Sequence, residues 1–217
     1  MKVLLGLFAA AVILLPGIAN AGTINLSYIT STPIGSTGTD WTGTLAFQKF
    51  DPALGTLNSV TIDLSGSMST QLTVTNDGSS SSDGSAKTEL QITVQDVGNN
   101  LTAPAVDVFS PIFDFSPLAV NETKISGWLT KTYSSSDLYT TAAVLSEFTG
   151  ASGNTVLDAS TLTTTWLSFT GGNILASQVT NASLTGTVTY NYTPEPATMA
   201  MLGFGALSLA ARRRRGR

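Results

Sequence analysis

The chain has 217 residues, 10 Lys and Arg against 14 Asp and Glu for a net charge of −4, and neither His nor Cys. That length allows one domain with its own core, while the missing Cys and His exclude disulfides, a thiol nucleophile, the commonest catalytic base and the usual zinc and copper ligands. Half of the basic residues are Arg212, Arg213, Arg214, Arg215 and Arg217, and after Lys2 only Lys49, Lys87, Lys124 and Lys131 face the acidic middle of the chain, a balance that argues against nucleic acid or anionic lipid as a partner.

The N-terminus reads as a secretory signal. Lys2 supplies a short positive region, residues 3–15 are an almost unbroken apolar run, and Ala19 and Ala21 stand at the spacing a signal peptidase needs. Residues 1–21 are therefore the expected signal-peptide helix. The general secretory machinery and signal peptidase are the expected partners, since no twin-Arg precedes the run.

From residue 22 onward the pattern changes to alternation. Ile24, Leu26 and Tyr28 alternate with polar residues, as do Trp41, Leu45 and Phe47, then Val60, Ile62 and Leu64, then Leu72 and Val74, then Leu90, Ile92 and Val94. The last set is Leu184, Val188, Tyr190 and Tyr192, with Gly186 in phase. Period-2 alternation buries one face and wets the other, the habit of antiparallel sheets. Ser and Thr make up roughly a quarter of the chain, and Thr favours strands while Ser favours turns. Residues 50–55 read as a tight turn, with Pro52 early and Gly55 late. Residues 76–85 read as a Ser/Gly-rich hairpin tip. Pro104, Pro111 and Pro117 break the segment holding Phe109, Phe113 and Phe115 into an edge or irregular crossing. Residues 138–148 are the one candidate helix. The expectation is an all-β fold: an antiparallel β-sandwich, jelly-roll-like, of roughly 8 to 10 strands over residues 22–193.

The C-terminus, residues 194–217, has three parts. Pro194, Glu195 and Pro196 form a rigid extended piece in which neither Pro can donate to a sheet, so it is expected to stand unpaired. Residues 197–211 are apolar or small. Arg212, Arg213, Arg214 and Arg215 then act as a membrane stop signal that stays cytoplasmic by the positive-inside rule. Fifteen residues span roughly 22 Å as a helix, against a hydrocarbon core of about 30 Å. So short a transmembrane helix suits a temporary anchor.

In order and in kind these three parts resemble the PEP-CTERM sorting signal of Gram-negative bacteria. The resemblance implies processing by exosortase, a membrane cysteine transpeptidase, and a setting of exopolysaccharide production and biofilm formation. A second resemblance lies in the middle. Residues 47–57 leading into Val60 and Leu64, the turn at 148–153, and residues 188–192 before Pro194 are similar to the choice-of-anchor E domain. That family implies a shared ectodomain joined to alternative surface anchors. It implies no activity and no catalytic residues.

Candidate chemistry in the middle is sparse. Only oxygen ligands are present, so calcium is the one metal to weigh, at Asp77 and Asp83. Their spacing matches no EF-hand, and the loop reads as solvated. No metal and no cofactor are expected. Carboxylate pairs in the glycosidase manner are inevitable by number alone and so carry no signal. Ser-Lys catalysis is equally open and equally unsupported. Trp41, Trp128 and Trp166 are candidates for stacking on sugar rings, but sandwich cores also bury Trp, and core is expected for at least two of them.

The expected protein is therefore exported across the inner membrane and held there transiently by its C-terminal helix. It is then sorted to the cell surface or extracellular matrix as a non-enzymatic structural protein associated with exopolysaccharide. The alternatives are a carbohydrate-binding or adhesive module and, behind it, a glycan hydrolase.

Overall fold

The structure is a computed structural model that describes residues 22–29, 32–96, 98, 100–101 and 106–195. The expected signal peptide with Ala19 and Ala21, and Pro196, the expected membrane helix and Arg212 to Arg215, lie outside the described residues. Among the described residues no helix is long and apolar enough to cross a membrane.

The described chain is nearly all β. Eleven strands form two antiparallel sheets. The first is built on two long central strands, β4 (Gly55–Asn76) and β11 (Ile174–Pro194), flanked by β1 (Ile24–Ile29) and β2 (Ile34–Gly38) beside β11 and by β8 (Thr123–Ile125) and β9 (Leu129–Tyr139) beside β4. The second runs β3 (Thr42–Gln48), β10 (Asn154–Thr170), β5 (Asp83–Gln95) and β6 (Val106–Phe109), with β7 (Phe113–Asp114) also on β5.

Three edges are single runs broken once: β1 and β2 both follow β11, β8 and β9 both follow β4, and β6 and β7 both follow β5. Counted this way the eleven strands are eight runs. The first sheet takes them in the order first, eighth, third, sixth; the second takes them second, seventh, fourth, fifth. Successive runs thus alternate between sheets at most steps, and few neighbours in sequence are neighbours in a ladder.

Period-2 alternation explains the faces. Along β4, Val60, Ile62, Leu64, Met68, Thr70, Leu72 and Val74 are buried while the residues that alternate with them are not. The two sets expected as separate strands, at 60–64 and 72–74, are one 22-residue strand. Along β11, Ala182, Leu184, Val188 and Tyr190 point inward against Leu45, Phe47, Leu90 and Ile92 of the other sheet. Gly186 lies in that inward row because the Phe47 ring occupies its place. A Cβ there would come within 2.7 Å of the ring.

A second, smaller apolar cluster of Leu72, Val74, Ala86, Phe115, Leu118 and Ile174 fills the other end of the interior. Between the two clusters lies a buried hydroxyl bridge. Thr70 of β4 shares hydrogen bonds with Thr180 of β11 at 2.7 Å and with Thr88 of β5 at 3.0 Å, and Thr88 donates to Gln178 Oε1 at 2.8 Å. Each buried hydroxyl finds a side-chain partner on another strand, Thr180 beside Thr70 in the same sheet and Thr88 across from it, as a dry interior requires.

The connections follow from local chemistry. Asp51 accepts from the Ala53 amide at 2.9 Å and opens a 3-10 turn over Pro52–Leu54, which Gly55 ends at φ 147°. The Phe50 amide donates to the Phe148 carbonyl and the Gly150 amide to the Phe50 carbonyl, so residues 50 and 148–150 lie side by side. The candidate helix is reduced to α1 (Ala142–Glu147); Leu138 and Tyr139 belong to β9.

Residues 76–85 are not a hairpin tip, because β4 and β5 belong to different sheets. They form a corner between sheets, organised by Asn76, which is wholly buried. Its amide donates to the Ser80 and Leu118 carbonyls at 2.8 and 3.1 Å, and its carbonyl accepts from Gly78 and Asn173 at 3.0 and 3.3 Å.

Candidate functional site

Two places carry the chemistry: the end of β11, where the sorting tail begins, and the outer face of the β3–β10–β5–β6 sheet.

At the first, β11 runs through Thr193 to Pro194, which is buried and stands in register with Gly55. Pro194 is therefore not in an unpaired spacer as its missing N–H suggested. Proline is tolerated at the end of a strand, where the ladder no longer needs its donor. Gly55 allows the close approach, since a Cβ on it would collide with the Thr193 carbonyl oxygen. Glu195 follows, exposed. The folded domain thus reaches into the Pro-Glu-Pro piece itself.

At the second, the outward residues of β5 and β10 form two facing rows. Lys87 pairs with Trp166, Glu89 with Thr164, Gln91 with Leu162, Thr93 with Ser160 and Gln95 with Asp158. Trp166 is 51% exposed, and its indole N–H donates to Glu89 Oε2. Gln91 donates to Glu89 Oε1 at 3.1 Å. On β6, Phe109 lies under the Lys87 ammonium at 3.9 Å.

The hydrogen bond from Trp166 holds the Glu89 carboxyl below the usual range, helped by Gln91 and Asp107 and by the Lys87 charge. Asp107 moves the other way, raised by burial and then by its hydrogen bond with Glu89 and the Glu89 charge. A depression of about 190 Å³ lies at Lys87, Ile112, Trp166 and Ser168, and one of about 540 Å³ at Thr42, Thr44, Gln95, Asp158 and Ser160.

A second carboxylate pair sits near α1. Asp96, 2% exposed, accepts from the Leu101, Asn100 and Gly98 amides at 2.8, 3.1 and 3.2 Å. Burial works to raise its pKa, but the amides of Leu101 and Asn100 outweigh it and hold the carboxyl below the usual range. Glu147 is pushed up to about 7 by burial, then by its hydrogen bond with Asp96 and the Asp96 charge, against the pull of Lys49. Both this pair and Glu89–Asp107 are in hydrogen-bond contact, closer than the separation of roughly 5 Å or more at which two carboxylates flank a glycosidic bond.

The tryptophans depart from expectation. Trp128 and Trp166 are half-exposed, and only Trp41 packs against the main core, with its Nε1 buried and lacking a hydrogen-bond partner among the described residues. Asp77 donates its amide to the Asn173 carbonyl, and Asp83 opens β5 opposite Thr170. No cluster of three or more potential metal ligands occurs among the described residues. The Glu89 arrangement escaped sequence reasoning because it depends on the β5–β10 register, and its only local signal was the alternation of Lys87, Glu89 and Gln91 on one side of a strand.

Residues 193–215 match the PEP-CTERM protein-sorting motif. No curated protein matches the chain. Among solved structures, the chain is similar to the mud crab tombus-like virus seen by cryo-EM, at 8% identity over 93% of this chain and 98% of that one, with a TM-score of 0.22. It is also similar to infectious bursal disease virus Gx strain, at 13% identity over 88% of this chain and 49% of that one, with a TM-score of 0.16. Scores this low inform neither fold nor role. The motif match, by contrast, supports a surface-sorted protein processed by exosortase at this tail.

Proposed function

We propose that the chain is an export precursor whose β domain is delivered to the cell surface or matrix and freed from the inner membrane by exosortase. One observation carries this: the sorting motif at 193–215 begins on the last two residues of the last strand. In this reading the signal peptide is removed after Ala21, residues 197–211 insert as a short transmembrane helix, and Arg212 to Arg215 hold the substrate in place during processing. Glu195 is a recognition group rather than a catalyst, being the only charge between Asp158 and Arg212.

The domain itself is read as a jelly roll, an architecture of eight strands in two sheets; the run orders 1-8-3-6 and 2-7-4-5 support this. Its likeness to the choice-of-anchor E domain gains support from the pairing of two segments that carry the resemblance, at Phe50 and Thr149. We read its role as structural, within exopolysaccharide, and non-enzymatic. A carbohydrate-binding or adhesive role is a second reading, favoured by the half-open Trp166.

Fractionation of cells with and without exosortase, followed by intact-mass measurement, tests the sorting. The expected mature chain begins at Gly22, lacks the mass beyond the Pro-Glu-Pro piece and leaves the inner membrane. Glu195→Gln blocks release without disturbing the fold. Replacing Arg212 to Arg215 by Ser lets the chain slip through unprocessed. Wild-type protein kept in the inner membrane with residues 197–217 intact, in a host that has the enzyme, overturns the proposal.

A further inference from the structure

We infer that the outer face of the β3–β10–β5–β6 sheet is a binding groove for an uncharged polysaccharide strand, with Trp166 as its stacking platform.

The platform is held in place. The indole N–H is taken by Glu89, which is itself held by Gln91, so the ring cannot swing freely while half of it stays open to solvent. Ile112, 68% exposed, lies beside it across the smaller depression. A pyranose ring has an apolar face of C–H groups and a rim of hydroxyls. A fixed aromatic face bordered by hydrogen-bonding groups meets both needs at once.

The rest of the face continues the pattern. Thr93, Gln95, Asp158, Ser160 and Thr164 all point outward, and none makes a side-chain hydrogen bond among the described residues. Both depressions lie on this one face, and the rows from Trp166 to Asp158 extend along β10 for roughly 26 Å, enough for several sugar units. An apolar peptide laid here would strand those amides, hydroxyls and carboxylates without partners, which is costly. Hydroxyls along a sugar chain satisfy them.

Charge selects among glycans. Glu89, Asp107 and Asp158 lie on this face against Lys87, and the Lys87 ammonium is already over the Phe109 ring. A polymer bearing uronates or sulfates is repelled, so the ligand is neutral. The inference stands apart from the sorting proposal: a chain that keeps its tail would bind as well as one that loses it.

The test is affinity gel electrophoresis of the full chain in mild detergent, with hydroxyethylcellulose or galactomannan as neutral polymer and alginate as anionic polymer. The expected result is retardation by a neutral polymer and free migration in alginate. Trp166→Ala weakens the neutral interaction about tenfold or more, Trp166→Phe restores part of it, and Asp158→Ala, at an exposed position, weakens it without touching the platform. Trp128→Ala, at the half-exposed Trp of the other sheet's edge, leaves it unchanged. Free migration in both neutral polymers overturns the inference. So does equal retardation by alginate, or a loss in Trp128→Ala as large as in Trp166→Ala.

Discussion

In the sheet built on β4 and β11, strands of 22 and 21 residues pair from end to end. On its outer side hydroxyls and amides meet one another across strands: Ser27 with Thr189 and Thr75 with Thr123 at 2.8 Å, Ser67 with Ser183 at 3.0 Å, and Asn191 with Asn25 at 2.8 Å. Its tyrosines 133, 139 and 190 are turned into the core. The sheet built on β5 and β10 also turns its aliphatic side inward, but its outer side carries Trp166, Phe109, Lys87 and two carboxylates in contact. One sheet uses its polar groups to hold register; the other displays chemically diverse groups on a fixed base. Position in the same sandwich does not give two faces the same task.

The comparison breaks most visibly at Gly186. Gly186→Val drives a branched side chain into the Phe47 ring and Leu64, and overpacking of this kind is expected to cost about 3 kcal/mol. Denaturant unfolding should show it, whereas Trp166→Ala, on the outer face of the other sheet, should change stability by about 1 kcal/mol or less. Equal losses at the two positions would show that the outer face of the second sheet is structural after all.

The joint between the sheets gives a smaller effect. Thr88→Val keeps the shape but removes the hydroxyl that meets Thr70 and Gln178, at an expected cost of about 1–3 kcal/mol. Melting unchanged within error would mean that the bridge does not couple the sheets.

The smallest effect is one of pH. Glu147, raised to about 7 when folded, binds a proton that the unfolded chain gives up near the ordinary Glu value of 4.5. The stability this contributes is present below that value and is lost as pH rises towards 7. Asp96, held low, acts oppositely and loses its contribution as pH falls below about 4. The melting temperature should therefore peak between roughly pH 4 and 5 and decline up to pH 7, and Glu147→Gln should flatten the upper limb. A wild-type melting temperature constant from pH 5 to 8 would refute the raised titration of Glu147.

Much of the architecture was written in the alternation of apolar residues, because a strand with one buried face repeats its need every second residue. Where a strand crosses a gap, the signal fails. Ser65-Gly66-Ser67 interrupts the apolar row of β4, and the place beside Gly66 is taken by Tyr133, whose hydroxyl donates to the Ser183 carbonyl. One strand therefore reads as two. The exposure of Trp166 was hidden for a related reason: Thr165, Trp166 and Leu167 alternate in either phase, and only the register with β5 decides which side faces water. The corner at Asn76 looked like a hairpin because turn residues mark a change of direction but not a change of sheet. The sorting tail, by contrast, is a linear signal read by an enzyme, so its three parts are recognisable in order without any knowledge of the fold.

Pro194 ends an interior strand, and that placement has a mechanical consequence. β11 lies between β4 on one side and β1 and β2 on the other. Traction through the tail enters along the axis of that strand, where the ladder hydrogen bonds from Ile174 to Pro194 resist sliding together instead of opening one at a time as they would on a peeled edge. The grip is firm at the point of entry, since Gly55 lets the β4 backbone close onto Thr193 and Pro194. A pull on the tail is therefore taken up by a strand paired on both sides, and reaches the singly paired edges of the sheet only afterwards.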